Sequence, residues 1–147
     1  MTETVSKLEG LIKKGFEYLE KSSDFDMKQK SSPEKWSKKE ILGHLIDSAI
    51  NNLQRFTEIH FEIKPYKIKP YNQTELVIAN NYQNASIQEI TNFWLAINNR
   101  ILNVISQQTE HTINYKIKID NDEISDLKYL ITDYVNHLEH HLNQIID

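Results

Sequence analysis

Four stretches of this chain repeat apolar residues at three- and four-residue steps, and that spacing constrains the fold more than any other feature. The first covers about residues 2 to 22, with Val5, Leu8, Ile12, Phe16 and Leu19 on one stripe. The second opens at Ser37, where Ser37-Lys-Lys-Glu40 has the form of a capping box, and continues through Leu42, Leu45, Ile46, Ala49, Leu53 and Phe56. Its end is expected near Glu58 to Phe61. The third opens at a second such box, Ser86-Ile-Gln-Glu89, and carries Ile87, Ile90, Trp94, Ile97, Ile101 and Val104. The fourth starts at Asp122 or Ser125 and runs to the end through Leu127, Leu130, Ile131, Tyr134, Leu138 and Ile145. Its start is crowded by Asp120, Asp122, Glu123 and Asp126, the charge that a helix dipole favours there. Four amphipathic helices predict an all-α domain, most simply an up-down four-helix bundle spanning residues 1–147.

The connections are less regular. A polar link, SSDFDMKQKSSPEKWS, joins the first two helices, with a short helical turn expected at Ser32-Pro33. Roughly residues 60 to 85 form a long loop between helices two and three, holding Pro65, Pro70, Tyr66, Tyr71 and Tyr82. TELVIANNYQ inside it is expected to supply a helical piece. INYKIKI, residues 113–119, alternates like a strand but has no evident partner, so it reads as an extended connector.

Composition excludes several functions. Seventeen Lys and Arg against 21 Asp and Glu give a net charge of −4, which argues against nucleic-acid binding. Three glycines cannot write a phosphate-binding loop. Cysteine is absent, so no disulfide, thiolate cage or cysteine nucleophile is available. MTETVSKLEG lacks the basic start and apolar run of a signal peptide, and no run is long enough to span a membrane. A soluble cytoplasmic location is expected, without a membrane partner.

Three of the six histidines fall within five residues, His137, His140 and His141. Stepping about 100° per residue from Leu127, His141 lies near 320° within the apolar stripe, His137 near 280° beside it, and His140 near 220° on the polar face. His137 and His141 are thus one turn apart and turned inward, a spacing of about 5–6 Å that suits two imidazoles on one metal ion. Glu139 is not placed as in the helical zinc-protease motif. A bundle metal site needs ligands from facing helices. His44, His60 and His111 remain as candidates, and spacing alone does not choose among them, because His44 lies about 200° from Leu42.

The segment from Trp36 through His44 to Asp47 and Ser48 resembles the second-helix signature of the DinB-like superfamily of metal-binding four-helix bundles. The run Tyr134-Val-Asn-His137-Leu-Glu-His140-His141-Leu-Asn-Gln144-Ile145 is similar to its C-terminal histidine motif. Lys64-Pro-Tyr-Lys-Ile-Lys-Pro70-Tyr71-Asn-Gln looks like the Pro-Tyr loop of the bacillithiol S-transferase branch, and Asn51 and Arg55-Phe56 match that branch too. The resemblance implies a divalent metal, zinc or nickel, on His44, His137 and His141. It also implies a homodimer, by analogy alone. Two departures stand out: Gln144 occupies a position where the branch often has a further histidine, and the His-Pro element before the last helix is missing.

Three imidazoles leave an open position on a metal, the catalytic kind of site. With no cysteine in the chain, any sulfur must come from a small-molecule thiol. The leading expectation is S-transfer from such a thiol to an electrophile. Metal-dependent hydrolysis and a non-enzymatic, stress-associated metal-binding dimer are the alternatives. Asn51, Arg55 and Tyr71 are the substrate-binding candidates, although a solvated helix residue and a surface ion pair are the ordinary readings of the first two. Asp47 and Asp133 read as solvent-facing, with orientation of a ligand imidazole as their alternative role. Trp36 and Trp94 read as core anchors, His60 and His111 as loop-edge residues, and His140 as surface.

Overall fold

The computed structural model describes residues 1–147. Four long helices form the bundle: α1 (Thr2–Leu19), α3 (Lys38–Glu58), α5 (Ile87–Ser106) and α6 (Leu127–Ile146). Two short helices, α2 (Asp24–Lys28) and α4 (Gln73–Asn80), lie in the connections. The apolar stripes point where their spacing required. Leu8, Ile12 and Leu19, Leu42, Leu45 and Ile46, Ile90, Trp94 and Ile101, and Leu130, Ile131 and Leu138 are all buried.

Helix α1 packs on α5 and α6, and α3 packs on the same two. α1 and α3 therefore face each other across one diagonal of the bundle and α5 and α6 across the other, while α3 and α5 are side-by-side neighbours. Lys7 meets Asn136 and Glu139 while Lys14 meets Asn143, so α1 and α6 run in the same direction. Ser37 bonds Gln83, just before α5, and His60, just after α3, bonds Gln108, just after α5, so α3 and α5 also run together. Direction alternates from α1 to α3 and from α5 to α6. Between α3 and α5 the long connection carries the chain back along the bundle, which is why it needs its length.

Capping chemistry sets the helix starts. Ser37 Oγ accepts from the Glu40 amide at 3.1 Å, and Glu40 Oε1 accepts from the Ser37 amide at 3.0 Å, the complete box. At α5 only the serine half forms, at 3.4 Å. The Ile87 amide there donates instead to Asp24 Oδ1, whose carboxylate also pairs with buried Lys39 at 2.6 Å. Ser32-Pro33 opens a single turn, closed by the Lys35 amide donating to the Ser32 carbonyl at 3.2 Å, and a separate short helix, α2, forms earlier with Ser23 capping Asp24–Lys28.

The INYKIKI segment does have partners. β2 (Lys116–Lys118) lies between β1 (Tyr66–Lys67) and β3 (Ile124–Asp126). Tyr66 pairs with Ile117 in parallel, and Ile117 pairs with Ser125 in antiparallel. Because β3 uses residues 124–126, α6 starts at Leu127 with Asp126 as its cap, later than the acidic run predicted. This small sheet, sealed by buried Ile117, fixes the long loop against the entry to α6.

Candidate metal centre

The eight residues from Leu42 to Ala49 are all buried. Besides α5 and α6, this half of α3 is covered by α2, by α4 and by the turn at Tyr82–Asn84. His44 therefore lies in the interior although it is off the main apolar stripe. Gly43 permits this cover, because the Tyr82 ring sits where a Cβ would be: its Cδ2 lies 2.1 Å from that position.

The imidazoles of His44, His137 and His141 converge, with one ring nitrogen from each within 4.8 Å of the others. His44 Nε2 and His137 Nε2 are 3.1 Å apart. Ring centroids lie 5.0 Å apart for His44–His137, 4.8 Å for His44–His141 and 4.5 Å for His137–His141. Trp36 closes the far side of the His44 ring at 5.1 Å. Such a cluster disfavours protonation. Burial, together with His137 and His141 nearby, pushes His44 down to about 4. Burial and His141 also lower His137, while Asp133 opposes that shift. Neutral imidazoles are what a cation requires. His141 Nδ1 lies 2.9 Å from Gln144 Oε1. Because that amide oxygen only accepts, Nδ1 carries the proton and Nε2 keeps its lone pair. Gln144 thus holds one donor in a binding orientation, and His44 Nδ1 is a buried polar atom without a partner. The donor set fits a borderline divalent ion on three nitrogens with an open position.

His140 is exposed, and His60 and His111 flank Tyr115 at 5.6 and 5.4 Å outside the cluster. Asp47 was expected to face solvent; it is buried. Its Oδ1 accepts from Tyr82 Oη at 2.6 Å and Asn80 Nδ2 at 3.0 Å, tying the α4 segment to α3, while Oδ2 is unpartnered. Burial raises its pKa and those two bonds oppose the rise. Asp133 is exposed as expected. Trp94 is a core anchor, whereas Trp36 is only half-buried, against the histidine. Tyr82 belongs to the core.

Arg55 makes no surface ion pair. Its Nη2 donates to the Lys69 carbonyl at 2.6 Å, and its guanidinium lies over the Tyr71 ring at 5.5 Å. Asn51 is half-buried, and its side chain turns back to the Asp47 carbonyl. Two cavities meet at Arg55, Pro70 and Tyr71. One, about 540 Å³, also includes Asn51 and Tyr66. The other, about 270 Å³, runs past Ser48, Asn52 and Asp133 to His137. Arg55 and Tyr71 thus line the cavity that reaches His137, and Asn51 stands one cavity further out. No helix is long and apolar enough to cross a membrane.

The DinB superfamily model matches residues 8–145. No curated protein matches the chain. Among solved structures, the chain is similar to YfiT from Bacillus subtilis, described as a probable metal-dependent hydrolase with an unusual four-helix bundle topology. The TM-score is 0.86 at 20% identity, covering 99% of this chain and 83% of that one. It is also similar to the mycothiol-dependent maleylpyruvate isomerase, with a TM-score of 0.75 at 12% identity, and to a histidine-to-alanine mutant of that enzyme, with 0.77 at 10%. In both cases 98% of this chain is covered, but it spans only 60% of the isomerase. At identities this low, the TM-scores show a shared fold and nothing further.

Proposed function

The chain belongs to the DinB superfamily, and on that footing we propose that it is a metal-dependent enzyme using His44, His137 and His141 to hold a divalent ion, zinc or nickel. The observation that carries this reading is the convergence of three imidazole nitrogens within 4.8 Å at the end of a cavity. When bound, such an ion acts as a Lewis acid that lowers the pKa of a thiol or water at its open position.

The favoured reaction is S-transfer from a low-molecular-weight thiol. The thiol proton is released, the sulfur forms a bond to an electrophilic carbon, and that carbon's leaving group or π-electron pair departs to balance the charge. The chain supplies position and environment. Gln144 orients His141, Trp36 shields His44, and Tyr71 and Arg55 wall the cavity in which an electrophile sits. Asn51 lines the adjoining cavity. A thiol reading is supported by the fold shared with a mycothiol-dependent isomerase; the chain has no cysteine, so under this reading the sulfur comes from the small-molecule thiol.

Hydrolysis is the second reading, favoured by the fold shared with YfiT. A metal-loading series separates the two. S-transfer predicts metal-dependent consumption of thiol with a model electrophile, abolished in His141→Ala. Ester or amide cleavage that needs the metal and ignores added thiol would instead establish the hydrolase. Neither activity in fully loaded protein would overturn both.

A further inference from the structure

The cavity that reaches His137 is lined by three formal charges from the chain that do not neutralise one another. Arg55 enters from α3, Asp133 from α6, and Asp120 from the turn before β3. The ion pairs of the molecule are Lys7–Glu139, Lys30–Glu40, Lys39–Asp24 and Lys118–Asp122, and none involves these groups. Both partners of Arg55 are neutral: the Lys69 carbonyl, and Asn52 Oδ1 at a long 3.5 Å. A guanidinium carries five N–H donors, so most of this one's remain free. Asp133 acts electrostatically on both Arg55 and His137, and it lies one helical turn before the histidine. One cation and two anions that share about 270 Å³ without forming an ion pair leave space for a ligand bearing complementary charges, and of the two anions Asp133 is the one a helical turn from His137.

We infer that this cavity binds the aminocarboxylate end of a zwitterionic thiol, with its carboxylate on Arg55, its ammonium on Asp133 and its sulfur toward His137. The inference rests on the three-histidine reading above and names the class of thiol that reading requires. Such a molecule carries the three groups within a few bonds, matching a cavity whose cation, anion and histidine lie on the facing helices α3 and α6.

The test titrates cobalt(II)-loaded protein with four thiols and follows the sulfur-to-cobalt charge-transfer absorbance. L-Cysteine carries both charges, 3-mercaptopropionate only the carboxylate, cysteamine only the ammonium, and 2-mercaptoethanol neither. L-Cysteine is expected to bind most tightly. Losing the carboxylate weakens binding about tenfold, as for a charge-assisted hydrogen bond, and losing the ammonium weakens it about threefold, as for an exposed ion pair. Arg55→Gln should erase the carboxylate's advantage and spare cysteamine. Asp133→Asn should erase the ammonium's advantage and spare 3-mercaptopropionate. If Arg55→Gln fails to fold, Arg55→Lys should retain part of the carboxylate preference. Equal affinities for the four thiols would overturn the inference and leave the metal reading standing. So would an L-cysteine advantage that survives in both variants, because that is chelation by the free amino acid. A bound cobalt that gives no such band with any thiol would remove the thiol-transfer reading and this inference with it.

Discussion

Gly43→Ala should destabilise the protein strongly, although alanine is the better helix former. At an unobstructed helix position the exchange gains about 1 kcal/mol, and Gly10 in α1 is such a position, with nothing within 4 Å of an added Cβ. At Gly43 the added atom would lie 2.1, 2.3 and 2.8 Å from Cδ2, Cγ and Cβ of Tyr82. The last two atoms are near the backbone, so rotating the ring cannot relieve the overlap. Displacing a buried aromatic ring costs about 3–5 kcal/mol. The displaced ring also takes its hydroxyl away from Asp47, whose other oxygen already lacks a partner, adding about 1–3 kcal/mol. After the helical gain is subtracted, the net loss is roughly 3 kcal/mol or more. At about 3 °C per kcal/mol for a domain near this size, the Tm should fall by about 10 °C or more. Gly10→Ala should rise by about 3 °C. Thermal unfolding followed by circular dichroism measures both. In a Tyr82→Ala background the clash is gone, and Gly43→Ala should become mildly stabilising, a coupling that a double-mutant cycle reads directly. Equal Tm changes for Gly10→Ala and Gly43→Ala would refute the reasoning.

Other outcomes follow from the same geometry. Gln144→Ala should weaken metal binding by about 10-fold or more, because His141 loses the acceptor that fixes its proton on Nδ1; competition with a fluorescent chelator measures it. Tyr82→Phe should cost about 1–3 kcal/mol in urea unfolding by leaving the buried Asp47 carboxylate with one partner fewer. Metal-free protein should lose stability as pH falls. His44 is held near 4 when folded against an ordinary 6.5, so the unfolded chain binds more protons between those values. Its contribution is complete above about 6.5 and lost progressively toward 4. The lowered pKa of His137 acts in the same direction. A urea midpoint at pH 5 equal to or above that at pH 7 would contradict this.

The bundle was legible because each long helix buries one stripe, and a stripe has a period. The inward turn of His137 and His141 on α6 could be read the same way. His44 and Asp47 could not be, since both lie on the part of α3 that is covered all round. Periodicity assumes one dry face, so a helix enclosed by connecting segments misleads it. For His44, motif resemblance supplied what spacing could not; for Asp47, nothing in the sequence marked burial. The three-stranded sheet is not legible in the sequence because its strands are two or three residues long and β1 lies about fifty residues from β2, so no local window contains the pairing. Arg55, a substrate-binding candidate whose ordinary reading is a surface ion pair, makes no such pair because its neighbours, Lys69 and Tyr71, come from a loop whose path the sheet sets.

The most direct test of the central claim is the metal content of purified, untagged protein, measured by mass spectrometry beside a His137→Ala, His141→Ala double mutant. The account predicts about one zinc or nickel per chain, lost in a mutant that keeps its helical circular dichroism. Protein that stays metal-free after incubation with excess zinc and excess nickel would contradict it.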